Sequence, residues 1–150
     1  MRLGYINNNF ILLIKMKYYL DTCIWIDYFE NRSDKFRLLG EFAFKLIKKI
    51  INDQNKIIIS DKIIEELYNR YNKYIQEDIF KIIPNSLLIK IYQIDEYEIE
   101  AIKLKNKIKI PLGDIVHLII AKKNNAIFVT RDRHFEYFEN VIIKKPEELL

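Results

Sequence analysis

Two spacings of apolar residues alternate along this chain. Short continuous runs rich in β-branched and aromatic residues fall at 17–21, 57–60, 87–91, 126–130 and 138–143, and these read as strands. Between them, apolar residues recur every three or four positions, the period of a helix with one buried face. Residues 22–30 read as a short helix. Ser33 is placed to cap a longer one reaching about Asn52, with Phe36, Leu39, Ala43, Leu46, Ile47 and Ile50 on its apolar face. Ser60 is placed to cap a helix to about Tyr74, burying Ile63, Ile64, Leu67, Tyr71 and Tyr74. Residues 76–83 read as a further short helix stopped by Pro84.

Asp95 and Glu98 have capping-box spacing and open a helix to about Lys107. IPLGD (110–114) leads into a helix from Asp114 to Lys123 that is apolar nearly all round, which predicts deep burial. PEELL closes the chain as a last partial turn. Strands alternate with helices, the strand runs are continuous rather than alternating, and no two strands are joined by a two-residue hairpin. That pattern predicts an α/β fold, a parallel sheet covered by helices on both faces.

Composition narrows the picture only a little. With 150 residues, no repeat and no linker, residues 16–150 read as one domain. Lys and Arg number 25 against 21 Asp and Glu, a net charge of +4 that permits a polyanionic partner without requiring one. A single cysteine, Cys23, excludes an internal disulfide, and with only two histidines the chain lacks the ligands of a zinc finger. A reducing, cytoplasmic setting follows most simply. FILLI (10–14) is far too short to span a membrane and lacks a signal-peptide cleavage pattern. Residues 1–15 read either as an upstream extension or as an extra edge element.

Candidate chemistry lies in four acids near the ends of these elements. Ligands of an open parallel sheet bind beyond the carboxyl ends of its strands. Asp21 ends the first strand and Asp132 follows the fourth by two residues. Asp114 stands in the first turn of the buried helix, and Glu66 on the second turn of the helix after strand two. Two unit charges about 4 Å apart repel by about 4 kcal/mol at an effective dielectric of 20. A cluster of such groups therefore calls for protons or a cation, and hard oxygen donors favour Mg²⁺ or Mn²⁺. Each acid also has a plainer reading: Asp21 as a cap, Asp114 as a helix-dipole partner, Asp132 as a turn residue. Glu66 and Glu65 flank the apolar face at nearly equal angles, so periodicity does not choose between them. His117 reads as a core histidine more readily than a catalyst, Arg133 and His134 as loop residues before phosphate contacts, and Trp25 as core or groove wall before a base-stacking residue.

The ordered set LDT (20–22), EL (66–67), GDIVH (113–117) and TRDRHF (130–135) resembles the PIN-domain ribonucleases, in particular the small VapC-type toxins. The resemblance covers about residues 16–150. It implies a three-layer α/β/α fold with a five-stranded sheet ordered 3-2-1-4-5. It maps Asp21, Glu66, Asp114 and Asp132 onto the family's acidic metal-binding quartet, selects Glu66 over Glu65, and matches Thr130 to a supporting hydroxyl. It further implies Mg²⁺- or Mn²⁺-dependent cleavage of RNA by an activated water leaving a 5′-phosphate, a cognate antitoxin protein, and often a homodimer. Cys23 after LDT, and residues 1–15, depart from the family pattern.

Two other classes compete. One is a PIN-like module that binds RNA or protein without cutting. The other is a phosphoryl-transfer domain of haloacid-phosphatase or receiver type. The phosphatases want a second Asp two residues after the first, where this chain has Cys23, and receivers want an acidic pair where it has Tyr18, Tyr19 and Leu20.

Overall fold

The computed structural model describes residues 15–135 and 138–150. The strands are β1 (Lys17–Leu20), β2 (Lys56–Ser60), β3 (Leu88–Ile91), β4 (Ile127–Val129) and β5 (Ile143–Lys144). They form one parallel sheet in the order β3-β2-β1-β4-β5. The helices are α1 (Thr22–Glu30), α2 (Leu39–Asn52), α3 (Asp61–Tyr68), α4 (Lys73–Phe80), α5 (Asp95–Lys105) and α6 (Leu112–Lys123). The α/β class and the 3-2-1-4-5 order are those expected. No helix among the described residues is long and apolar enough to cross a membrane. FILLI and the remainder of 1–14 lie outside the described residues.

The sheet is central because its strands bury both faces. Tyr19, Leu20, Ile57, Ile58, Phe128 and Val129 are all shut off from solvent. β1 sits in the middle, with Tyr19 level with Ile58 on one side and Phe128 on the other. The ladder runs one residue past the strand, since the amide of Asp21 donates to the Val129 carbonyl at 2.9 Å. Asp21 is thereby fixed at the sheet's carboxyl edge, where it also caps α1. Helix α6 is buried from Ile115 to Ala121, as its all-round apolar pattern foretold.

Several boundaries differ from the sequence reading, each for a local reason. Ser33 does not cap the second helix. Asp34 instead takes the amides of Phe36 and Arg37 in a turn, at 2.9 and 2.7 Å, so the helix cannot start before Leu39. Phe36 is consequently 85% exposed rather than on the buried face. The helix capped by Ser60 stops at Tyr68. Asn72 then caps a separate helix, α4, by accepting from the Ile75 amide, and Tyr74 is exposed. The short helix is thus 73–80, not 76–83. Asp95 lies inside the first turn of α5, whose N-cap is Ile94, so no capping box forms there. Helix α6 begins two residues before Asp114, at Leu112 after Pro111. The fifth strand is Ile143–Lys144, beyond most of the 138–143 run, where it meets Phe128 and Val129.

Candidate metal centre

The carboxyl edge of the sheet collects side chains from four separate stretches. Asp21 follows β1, Glu66 rises from α3, Asp114 opens α6, and Asp132 follows β4. They fall into two adjoining groups of three. Asp21, Glu66 and His117 present ligand atoms within 4.8 Å of one another, and so do Asp114, Asp132 and His134.

Thr130 joins the groups. Its hydroxyl donates to Asp21 Oδ2 at 2.7 Å and accepts the amide of Asp132 at 3.1 Å. Thr130 is itself buried. Asp21 spends its other oxygen on the amide of Thr22, at 2.8 Å. The Thr22 hydroxyl in turn donates to Glu66. Between the acidic α3 neighbours, Glu66 turns inward, whereas the side chain of Glu65 is 60% exposed. Periodicity left that choice open; the tertiary partners make it.

Two histidines complete the groups, and the sequence reading placed neither among the acids. His117 is buried, as read, but both ring nitrogens face polar partners. Nε2 lies 2.9 Å from both oxygens of Glu66 and 3.9 Å from Asp21 Oδ1. Nδ1 lies 2.6 Å from the hydroxyl of Tyr19, which lies 2.7 Å from Ser60 Oγ. His134 stands on a 3₁₀ turn, half-exposed, with Nδ1 at 3.2 Å from both Asp114 Oδ2 and Asp132 Oδ1. The signal available in the sequence was position alone: each histidine lies two or three residues after an acid.

The electrostatics match crowded carboxylates. Burial raises the Asp114 carboxyl above its ordinary range, and the charges of Asp132 and Asp21 add to this, against the hydrogen bond from His134. The hydrogen bond to Asp114 and the field of Asp132 raise His134 in turn. For Glu66 the largest effect is burial, which acts upward. The His117 imidazole and the Thr22 hydroxyl, with Lys62 nearby, together outweigh it and hold the group low.

Cys23 is no alternative nucleophile. Burial first, then the Asp21 charge, push its thiol far above the usual range. Trp25 is wholly buried and donates to the Leu20 carbonyl at 3.1 Å, so it is core and has no face free for a base.

The donors suit a hard divalent ion. They are carboxylate oxygens, with a histidine hydrogen-bonded to them at each margin. Ligands of such an ion sit about 3–4 Å apart at bond lengths near 2.1 Å, within small rotations of the spacing here. The acidic cluster therefore suggests a metal site.

Comparison with protein families matches residues 18–140 to the PIN domain. The chain belongs to the PIN-domain family. No curated protein sequence matches it. Solved structures show the same fold at low identity. A chain of VapBC2 from Rickettsia felis, crystallised with a DNA fragment from its promoter, is 22% identical with a TM-score of 0.62, over 87% of this chain and 98% of that one. A toxin–antitoxin complex from Klebsiella pneumoniae gives 24% and 0.59, over 86% and 97%. FitAcB from Neisseria gonorrhoeae gives 15% and 0.57, over 89% and 100%.

Proposed function

We propose that this chain is a metal-dependent endoribonuclease, the toxin of a toxin–antitoxin pair, with Asp21, Glu66, Asp114 and Asp132 as its metal-holding acids. The observation that carries this reading is the convergence of those four carboxylates, from four segments, on one edge of a PIN-domain sheet. Such crowding costs repulsion that a cation would relieve.

Mg²⁺ or Mn²⁺ held there would supply a water acidic enough to attack a phosphodiester, and positive charge for the phosphate oxygens. The chain's own residues do the positioning. Thr130 fixes the rotamer of Asp21 and the path of the chain into Asp132. Thr22 and His117 hold Glu66 ionised and aimed at Asp21. His134 spans Asp114 and Asp132 and must yield to any ion that takes both. Its half-exposed ring is then free to meet the RNA backbone. Hydrolysis by water leaves a 5′-phosphate on one product.

The toxin reading draws on the resemblance to VapC-type toxins and on the solved structures of like fold, one described as a toxin–antitoxin complex and another as VapBC2. A cognate antitoxin protein and a homodimer belong to the same proposal. Light scattering of the purified chain tests the dimer.

The deciding experiment uses purified protein, labelled transfer, ribosomal and messenger RNA, and Mg²⁺, Mn²⁺ or chelator. Cleavage that depends on the ion, and falls by at least about 100-fold in Asp21→Asn and Asp132→Asn, supports the reading. Cleavage that persists in chelator, or in the double variant, rejects it. RNA bound but left intact by the antitoxin-free protein would favour a binding module.

A further inference from the structure

Tyr19 is an unusual residue to bury at the centre of a sheet. It is fully enclosed, stacks on Phe128 with ring centroids 5.8 Å apart, and carries a hydroxyl that needs a partner. Among the described residues that hydroxyl bonds two side-chain atoms, Ser60 Oγ at 2.7 Å and His117 Nδ1 at 2.6 Å.

The direction of the chain follows from its two ends. Both oxygens of Glu66 lie 2.9 Å from His117 Nε2. An ionised carboxylate only accepts, so Nε2 carries the hydrogen. With one hydrogen on the ring, Nδ1 is left to accept from Tyr19. The Tyr19 oxygen accepts from Ser60, and the Ser60 oxygen takes the Ile63 amide at 3.3 Å. Every member is satisfied in one direction, from the first turn of α3, through the central strand, to the acid one turn further along α3. All but the last are at most 1% exposed.

We infer that Tyr19 and His117 are positioning residues: a one-way hydrogen-bond chain, Ser60 to Tyr19 to His117, presets the carboxylate of Glu66 against Asp21 before any ion arrives. Neither side chain touches substrate. Glu66 is otherwise held by a single hydroxyl, that of Thr22, and by Lys62 at 3.9 Å. A long side chain on a helix surface loses rotamer freedom when it takes up an ion. The chain of hydroxyl and imidazole removes that freedom in advance. The inference rests on the metal reading above, but the hydrogen-bond direction is testable apart from it.

The test uses the full chain and Mn²⁺ alone, with free Mn²⁺ counted by electron paramagnetic resonance. Tyr19→Phe keeps the ring and deletes only the link, and Mn²⁺ affinity falls about 10–100-fold, the usual cost of losing a partner behind a ligand. His117→Gln keeps an N–H donor at similar reach and stays nearer the parent than His117→Ala, which falls as far as Tyr19→Phe. Parent-like affinity in both Tyr19→Phe and His117→Ala overturns the inference. Equal losses in His117→Gln and His117→Ala also overturn it, because they make His117 a direct ligand. Should Tyr19→Phe not melt cooperatively, the two His117 variants carry the test. Nitrogen-15 spectra of the metal-free parent read the tautomer: a hydrogen on Nε2 and none on Nδ1 is expected, and the reverse overturns the chain's direction. A parent that shows this tautomer but binds no Mn²⁺ defeats the metal reading and leaves the chain of hydrogen bonds standing.

Discussion

Thr130 reaches across the joint between β4 and β1 to donate its hydroxyl to Asp21 at 2.7 Å. The same oxygen accepts the Asp132 amide. One hydroxyl therefore sets two acids from opposite ends of the sequence. Thr130→Val keeps the shape and deletes the oxygen. It should lower RNA cleavage about 10–100-fold, in the range for lost support behind a metal ligand. Thr130→Ser should recover most of the loss. Initial rates at saturating Mn²⁺ check this, and a Thr130→Val rate equal to the parent would assign the hydroxyl to folding alone.

Behind the site, Arg131 ties α1 to the end of the chain. Its Nε lies 3.2 Å from Asp27 Oδ2 and its Nη1 2.9 Å from Glu147 Oε1. Arg131 Nη2 and Glu147 Oε2 have no partner among the described residues, so the network is incompletely satisfied. Removing one partner strands a charge, and burial already pushes the Asp27 carboxyl upward. Arg131→Ala should cost about 3 kcal/mol, the low end for a broken buried pair, because Arg32 remains 3.7 Å from Asp27. Arg131→Met with Asp27→Leu should be far less harmful than the sum of the single changes. Urea melts of the four proteins form the cycle that measures this.

Stability of the metal-free protein should fall as pH rises through neutrality. His134 is raised above its ordinary value of 6.5, chiefly by its hydrogen bond to Asp114 and by the charge of Asp132. A raised group stabilises fully below its unfolded pKa, and that contribution is lost as pH rises through the folded pKa. The window therefore opens near pH 6.5 and extends upward. His134→Asn should flatten the melting temperature across it, and so should saturating Mn²⁺ if the proposed site holds, since the ion would then take over the two aspartates. Melts in chelator and in Mn²⁺, between pH 6 and pH 8.5, give the answer. On the acid side the sign reverses for Glu66 and Glu147. Both are held below the usual 4.5, so their contribution disappears as pH drops below that value.

The crossing of α1 and α2 admits no side chain at Gly40. A Cβ there would meet Asn31 Cα at 2.5 Å and the Asp27 carbonyl at 2.6 Å, both backbone. Gly40→Ala must move one helix off the other and should cost about 1–3 kcal/mol. Denaturant titration reads this directly. Since α1 also carries Thr22 and Asp27, cleavage should fall along with stability.

Much of this was legible in the sequence, because the fold's main signals are local. Continuous β-branched or aromatic runs marked the first four strands, and the positions of Asp21 and Asp132 followed from those strand ends. What escaped notice was set by partners far along the chain or by competing local bonds. Asp34 captured two amides that a helix capped at Ser33 would have needed. Asn72 offered a second cap and split a predicted helix in two. The fifth strand is only two residues long, and its place is fixed by pairing with β4 rather than by its own composition. His117 illustrates the deeper limit. Its burial was foreseen from the apolar helix around it, but its link to Tyr19 spans 98 residues, and no spacing rule reaches that far.

The central position of β1 also bears on the order in which the acidic edge can be assembled. Its neighbour β4 leads into Thr130, which stands 109 positions along the chain from Asp21. A half-made chain has β1 bare along one side and Asp21 unclamped. Any chemistry needing all four acids must therefore wait until β4 has docked beside β1.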